Sequence, residues 1–300
     1  MPEFFRRPAD EHRRAFFFAA GPEKTRCTER AAYHPALMTQ RTGAGGVRLY
    51  AHRGASAELP ENTLESFGRA LELGADALET DVHMTADGVL VVAHDPDGSR
   101  TANDPRAIRD LPLEEVRRWD VGAGFVAPDG SRPFAGKGFR VPTLESLVTS
   151  FPVVVNIDMK QESPPIWRAV CELVDRLGAH ERIQVASFHL RPLRALRAAG
   201  YPGRTSLAPP EVAALLALPA ALFRRACRGA SIAQLPTRMG RLELARPWVI
   251  DRARAAGLAI EFFTVNDPAE ARALAELGPD GIMTDDPRAV APALGKGSRS

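Results

Sequence analysis

The sequence predicts an α/β fold, a distorted parallel (β/α)8 barrel of the TIM type with a small insertion after the third strand. Three observations carry that expectation. Strand-like and helix-like stretches mostly alternate from Val47 onward, the rhythm of a parallel sheet with helical crossovers. The chain has 300 residues, the usual size of one α/β barrel. Residue types suited to catalysis fall just after the strands, where barrels build their active sites.

The elements follow in order. Val47–Ala51 reads as the first strand. Leu64–Leu73 has apolar residues at 64, 67, 70, 71 and 73, a helical stripe ended by Gly74. Ala77–Val82 is the second strand and Val89–Ala93 (VLVVA) a buried third. Phe151–Met159 contains VVVNIDM and is again a buried strand. Helix Ile166–Leu177 closes at Gly178, strand Ile183–Phe188 follows, and helix Leu193–Ala199 closes at Gly200. Tyr201–Leu207 carries the next short strand, before helix Glu211–Arg225. Ser231–Leu235 is a strand, and Pro247–Ala256 a helix with Gly257 behind it. Leu258–Val265 (LAIEFFTV) is a strand, Pro268–Leu277 a helix, and Asp280–Thr284 the final strand.

Two stretches break the rhythm. Met84–Gly88 is too short for a helical crossover between the second and third strands, and ADG at 86–88 is hairpin chemistry. Either the barrel is irregular here or one strand is misassigned. Asp97–Arg140 is rich in Gly, Pro, Asp and Arg, with one helical piece at Leu113–Trp119. It is long for a loop and reads as an insertion leaving the third strand and lying over the barrel mouth. Residues 1–45 show no sustained period and read as a poorly ordered extension, with Met38 an alternative start. The barrel is expected over 46–292, followed by a tail at 293–300.

Composition narrows the function. Charged residues make up 25%, hydrophobic ones 45%, and the net charge is +2, which gives no reason to expect nucleic acid or an anionic membrane as partner. No apolar run approaches the roughly 20 residues of a membrane span. The FFFAA run near the start is short for a signal sequence and follows Asp10 and Glu11. Cys27, Cys171 and Cys227 have no metal spacing, argue against a disulfide framework and fit a reducing cytosol. A cytoplasmic protein without stable membrane association is expected; the sequence gives no oligomeric state. The basic residues are almost all Arg. Only Lys24, Lys137, Lys160 and Lys296 are lysines, so Lys160 at a strand end stands out.

The chemistry-bearing residues follow the strands. His52 and Arg53 come after the first, Glu79 and Asp81 end the second, His94 and Asp95 follow the third, and Asp158 and Lys160 end the next. Glu79 and Asp81 are two apart, so they share one face of a strand. Paired carboxylates suit a hard cation, Mg²⁺ or Ca²⁺, and Asp158 adds a third acid. Taken singly, each residue has an ordinary reading: a polar strand edge, a loop histidine, one more surface arginine. Together they suit phosphate-ester cleavage. A divalent cation with Arg53 and Lys160 neutralises phosphate charge, and two imidazoles move protons near neutral pH. His83 is assigned a structural role, and His12, His34, His180 and His189 are peripheral. No Walker loop, G-x-S-x-G elbow or Cys–His zinc spacing is present.

The ordered series HRG (52–54), ENT (61–63), ETDVHMTADG (79–88), VVAHD (91–95), VPTLESL (141–147), NIDMK (156–160), SF (187–188), FFTVN (262–266) and DGIMTDDP (280–287) resembles the glycerophosphodiester phosphodiesterase family. The likeness runs from about Leu49 to Arg288. It implies a distorted barrel with an insertion after the HD strand. It also implies metal-dependent hydrolysis of glycerophosphodiesters to glycerol 3-phosphate and an alcohol. By position, His52 and His94 are the acid–base pair and Arg53 a phosphate contact. Glu79 and Asp81 are metal ligands, with Glu61 nearby as ligand or orienting group. Asp158 stands where the family usually has Glu, Lys160 matches the family's Lys, and Phe263 replaces a usual Trp beside the glycerol. A small soluble diester is the leading substrate. The alternatives are phospholipase D-like cleavage of lysolipids, with Phe125, Phe134 and Phe139 lining an apolar channel, and a non-catalytic phosphate-ester binder.

Overall fold

The computed structural model describes residues 46–297; the extension at 1–45 and the last three residues lie outside them. Strand β1 (Arg48–His52) leads through helix α1 (Leu64–Glu72) to β2 (Ala77–Met84). Thr63 opens α1 by accepting from Ser66 N at 3.2 Å, a standard N-cap. A short β3 (Leu90–Val92) turns back antiparallel on β2, pairing Val82 with Val92 and Met84 with Leu90. The third predicted strand therefore exists but is a hairpin arm outside the barrel wall, as the short link at 84–88 requires.

The insertion holds a two-stranded ribbon, β4 (Asp97–Gly98) with β5 (Asp104–Ala107), and the helical turn α2 (Leu113–Val116). Its own small core is built on Ile108, Val116, Trp119 and Val141. Phe134 stacks edge-on with Phe125 and Phe139 at 5.0 and 5.2 Å, so these rings pack on one another. Helix α3 (Leu144–Ser150) then enters β6 (Val154–Met159). At seven residues α3 is too short to show a period in sequence; its cap, Thr143 accepting from Ser146 N, is the legible part.

The regular rhythm resumes with α4 (Ile166–Leu177), β7 (Ile183–Ala186), α5 (Leu190–Ala198) and β8 (Arg204–Thr205). The long helix predicted over 211–225 is two, α6 (Pro209–Ala217) and α7 (Ala220–Ala226). Leu218 is extended ahead of Pro219, because the proline ring clashes with a helical predecessor. Strand β9 (Ile232–Pro236) is followed by a small hairpin, β10 (Arg238–Met239) and β11 (Leu242–Glu243). Then come α8 (Pro247–Ala255), β12 (Ala259–Phe263), α9 (Pro268–Glu276), β13 (Gly281–Thr284) and α10 (Pro287–Ala293).

Eight parallel strands form the wall in the order β8-β7-β6-β2-β1-β13-β12-β9. The ring nearly closes: β8 and β9 are joined by a single parallel bridge, Ser206 to Ile232, with Leu207 N donating to Ile232 O at 2.9 Å. The predicted barrel is present, and its irregularity is the β3 hairpin plus this weak seam. Two large apolar clusters lie between the wall and the helices, one around Leu78, Ile157 and Val185, the other around Leu235, Ile260 and Ile282. The barrel interior is polar. Tyr50 donates to Glu261 Oε1 at 2.8 Å, and Gln234 donates to both Glu261 and Asn156 at 2.9 and 2.8 Å. Among the described residues no helix is long and apolar enough to cross a membrane. Cys227 is a buried free thiol, and Cys171 is buried in α4.

Candidate active site

Strand register assembles the site at the C-terminal ends of the strands. Pairing of β1 with β2 sets His52 level with Glu79, and pairing of β2 with β6 sets Asp81 level with Asp158. His52, Arg53, Glu79, Asp81, His94, Asp158, Lys160 and Phe263 all line one cavity of about 470 Å³. Glu61 borders it through Arg53. No residue of 97–140 lines this cavity, so the insertion stands beside the mouth and not over it. Phe125, Phe134 and Phe139 therefore form no channel to the site.

The HRG turn is strained to aim Arg53. Arg53 itself has φ +60° and Gly54 φ +88°, the left-handed region that an L side chain disfavours. A Cβ at residue 54 would meet Ser66 at 2.4 to 2.8 Å, so only glycine fits. The turn is held by Arg53 N donating to Glu79 O at 3.0 Å and Asn62 N donating to Arg53 O at 2.9 Å. Such strain is typical of a functional position. Arg53 then reaches Asp81 at 3.1 Å and Glu61 at 3.2 Å.

The ENT motif divides its work. Glu61 takes Arg100 in a fork at 2.7 and 2.8 Å, so its oxygens face two guanidinium groups. Asn62 donates to Asp81 Oδ2 at 3.3 Å and accepts from Thr80 Oγ1 at 2.8 Å. Thr63 caps α1.

Both predicted histidines are anchored through Nδ1. His52 Nδ1 lies 2.7 Å from Asp285 Oδ1, and His94 Nδ1 lies 2.7 Å from Asp95 Oδ1. A carboxylate on Nδ1 fixes the ring and leaves Nε2 for chemistry. Asn266 donates to Asp285 Oδ2 at 2.8 Å, and its own carbonyl oxygen accepts from Thr284 Oγ1 and Asp285 N. Arg100 donates to Asp95 Oδ2 at 2.6 Å. Burial depresses the His52 imidazole pKa, but Glu79 and Asp285 outweigh it and raise the value above the ordinary one. His83 sits 3.1 Å from the carbonyl of His94 and so steadies that residue.

The sequence placed Asp95 beside His94 and Asn266 and Asp285 within quoted motifs but gave none of them a role, and it did not single out Arg100. Asp95 had a signal, its adjacency to His94. Asp285 is 233 residues from His52 and becomes its neighbour only because β13 pairs with β1, Ala51 against Thr284.

The three acids sit in different electrostatic surroundings. Burial pushes Glu79 up to about 8 and also raises Asp158 despite Lys160. Burial acts the same way on Asp81, but Lys160 and Arg53 overcome it and hold the group below its ordinary value. Lys160 bridges Asp81 and Asp158 at 2.8 and 2.7 Å. Glu79 Oε2 and Asp158 Oδ1 are buried without hydrogen-bond partners. Two orphaned carboxylate oxygens beside a third acid fit a hard divalent cation in donor type. They do not form a finished cluster: among the described residues no three His, Cys, Asp or Glu side chains meet at one point.

This geometry agrees with what the chain is similar to. The profile of the Glycerophosphoryl diester phosphodiesterase family matches residues 52–289. The chain belongs to this family. A glycerophosphodiester phosphodiesterase of Caldanaerobacter subterraneus subsp. tengcongensis is 31% identical over 257 residues, covering 83% of this chain and 98% of that protein. A probable glycerophosphodiester phosphodiesterase 2 of Mycobacterium tuberculosis is 33% identical over 252 residues, covering 80% and 88%. The crystal structure of a glycerophosphodiester phosphodiesterase from Agrobacterium tumefaciens superposes with a TM-score of 0.68 at 29% identity. It covers 82% of this chain and 99% of that one. The chain is thus a member of an enzyme family on a shared barrel, and it places two histidines, an arginine, a lysine and three acids around one cavity.

Proposed function

We propose that this chain is a divalent-metal-dependent phosphodiesterase that hydrolyses glycerophosphodiesters to sn-glycerol 3-phosphate and an alcohol. The observation that carries the reading is the pair of imidazoles, each anchored through Nδ1 to a carboxylate, around one cavity with buried acids and two cations. The family and the names of the relatives support the substrate class.

Each residue has a role in this reading. Arg53 and Lys160 hold the phosphoryl oxygens. Glu79, Asp81 and Asp158 hold Mg²⁺ or Ca²⁺, which when bound lends Lewis-acid charge to the phosphoryl group. Glu61, turned to Arg53 and Arg100, orients and does not ligate. Phe263 forms an aromatic wall for the glycerol. One imidazole takes the proton of the vicinal C2 hydroxyl as that oxygen attacks phosphorus, and the other protonates the departing alkoxide as its P–O bond breaks. The tethered hydroxyl is favoured by proximity. A protein nucleophile is not offered: no cysteine lines the cavity, the Ser187 hydroxyl donates to Met159 O at 2.7 Å, and neither Ser206 nor Thr264 is hydrogen-bonded to His52 or His94, whose Nδ1 atoms are held by carboxylates. Water then opens the cyclic phosphate with the two histidines in exchanged roles.

The test is release of glycerol 3-phosphate from a panel of glycerophosphodiesters, with and without EDTA, beside an analogue lacking the C2 hydroxyl. Metal-dependent release and a bound but uncleaved analogue are expected. Full activity with metal content near zero overturns the metal assignment. Turnover of the analogue near the parent rate overturns the cyclic route.

A further inference from the structure

The barrel interior holds a carboxylate that the reaction does not use. Glu261 of β12 is 1% exposed. Burying a carboxylate is unfavourable unless its oxygens are bonded, and these are. Oε1 accepts from Tyr50 Oη at 2.8 Å, and Oε2 accepts from Gln234 Nε2 at 2.9 Å. Two cations flank the group: Arg48 donates to Tyr50 Oη at 3.3 Å, and Arg204 donates to Gln184 Oε1 at 3.1 Å. Gly281 keeps the place clear, since a Cβ there would meet the Tyr50 ring at 2.8 Å and Glu261 Cγ at 3.1 Å.

A neutral amide would be easier to bury at this position. What the carboxylate alone supplies is a pair of oxygens that only accept. Gln234 must therefore turn its NH₂ toward Glu261, and the same nitrogen donates to Asn156 Oδ1 at 2.8 Å. Asn156 in turn presents its carbonyl to Gln234, which turns its own NH₂ away. The direction of both amides is thus set from inside the barrel.

Asn156 and Gln234 line the cavity. Asn156 stands on β6 two residues before Asp158, on the same face of the strand and level with Glu79. It is therefore one step deeper than the acids. Among the described residues nothing accepts from Asn156 Nδ2; Glu79 Oε2 and Asp158 Oδ1 take no hydrogen bond from it or from any other group. Arg53 and Lys160 reach the cavity from strand ends, whereas this NH₂ is a donor on its floor. An oxygen-rich substrate brought among three acids gains most from a donor at that depth, where little water competes.

We infer that Asn156 donates to an oxygen of the bound diester from the cavity floor, and that Glu261, acting through Gln234, is the positioning residue that aims it. The inference rests on the phosphodiesterase reading above and adds a contact to it. The oxygen belongs to the phosphoryl group or to the glycerol; either accepts the same N–H.

Calorimetric binding of glycerol 3-phosphate and of inorganic phosphate, at one fixed Mg²⁺ concentration, needs no catalysis and separates the two sources. If the oxygen is phosphoryl, Asn156→Ala should weaken both ligands by roughly 10- to 150-fold, the scale of one hydrogen bond to a charged group. If it is a glycerol hydroxyl, glycerol 3-phosphate alone should weaken, by roughly two- to tenfold. Glu261→Gln keeps the size of the side chain and lets residue 261 donate. Tyr50, with Arg48 beside it, holds the new carbonyl oxygen, so the new NH₂ faces Gln234. Gln234 then turns over, Asn156 follows, and the floor presents a carbonyl. The loss of affinity should match or exceed that of Asn156→Ala. In the Asn156→Ala background Glu261→Gln should lower affinity no further, because no amide is left to aim. The kcat/KM for a glycerophosphodiester should follow the same non-additive pattern, whereas any change in melting temperature should appear in both backgrounds. Gln234→Met cuts the link with Glu261 left in place, and should copy Asn156→Ala. Dissociation constants are read on the folded fraction, so partial unfolding drops out. Unchanged affinity for both ligands in Asn156→Ala would overturn the contact. A Glu261→Gln effect that is absent, or that multiplies with that of Asn156→Ala, would overturn the positioning role. A parent protein that turns over no diester while the binding pattern holds would overturn the phosphodiesterase reading and leave the floor donor standing.

Discussion

Asp285→Asn is the sharpest test of how the site is held. The carboxylate accepts from Asn266 on Oδ2 and meets His52 Nδ1 on Oδ1. Asn266 cannot turn over, because its carbonyl oxygen is already bonded by Thr284 and by the backbone N–H of Asp285. Its amide therefore keeps pointing at residue 285. The introduced amide must answer with its own carbonyl oxygen, which leaves its NH₂ facing His52. His52 Nδ1 is then forced to accept, so the imidazolium that either proton-transfer role passes through loses the acceptor for its Nδ1–H. Loss of one charge-assisted hydrogen bond is worth about 1.5–3 kcal/mol, or roughly 10- to 150-fold in rate. A wrong tautomer in a serine-protease triad costs about 10⁴-fold. The Asp285 side chain is 34% exposed, so water replaces part of the lost interaction, and we expect on the order of a 10²-fold fall in kcat. KM should stay within about threefold, since Asp285 does not line the cavity. Steady-state release of glycerol 3-phosphate reads both constants. Adding Asn266→Ala should free the amide to turn and return part of the rate. A kcat for Asp285→Asn within threefold of the parent, or a double variant worse than the product of the two single ones, would refute the reasoning.

Three further outcomes follow from the site. His94→Ala should lower kcat by about 10²–10⁴-fold, the scale of general acid–base catalysis; a near-parent kcat in the same assay removes His94 from the mechanism. Arg100→Ala releases both Asp95 and Glu61 from one exposed guanidinium. Exposed pairs are worth about 0.2–1 kcal/mol each, so a fall in kcat of roughly two- to thirtyfold is expected, and no change would show that the insertion does not position the site. Glu79 has a folded-state pKa raised from 4.5 to about 8 by burial. Its stabilising protonated form is complete below pH 4.5 and is lost as pH rises through about 8. Melting temperatures in EDTA should therefore fall across that window, and Glu79→Gln should flatten the fall and abolish activity; parallel curves for the two proteins would contradict the assignment.

The sequence by itself determined the barrel, because strand and helix periods are local and each parallel strand must be followed by a crossover. It also picked out the set of residues that line the cavity. His52, Arg53, Glu79, Asp81, His94, Asp158 and Lys160 all stand at or just past strand ends, and the shared cavity follows once those ends converge. Even the break at 84–88 was legible, since five residues cannot carry a helix across a sheet. Tertiary structure alone decided the rest. That β3 runs antiparallel outside the wall, and that the insertion stands beside the mouth, depend on packing between distant segments. The partner of His52 is set by ring closure, which brings β13 against β1 in one particular register. The Lys160 bridge between two acids, the orphaned oxygens of Glu79 and Asp158, and the hydrogen bonds that link Glu261 through Gln234 to Asn156 have no local period or motif. Burial and neighbouring charge are properties of the assembled space, and a linear pattern carries neither.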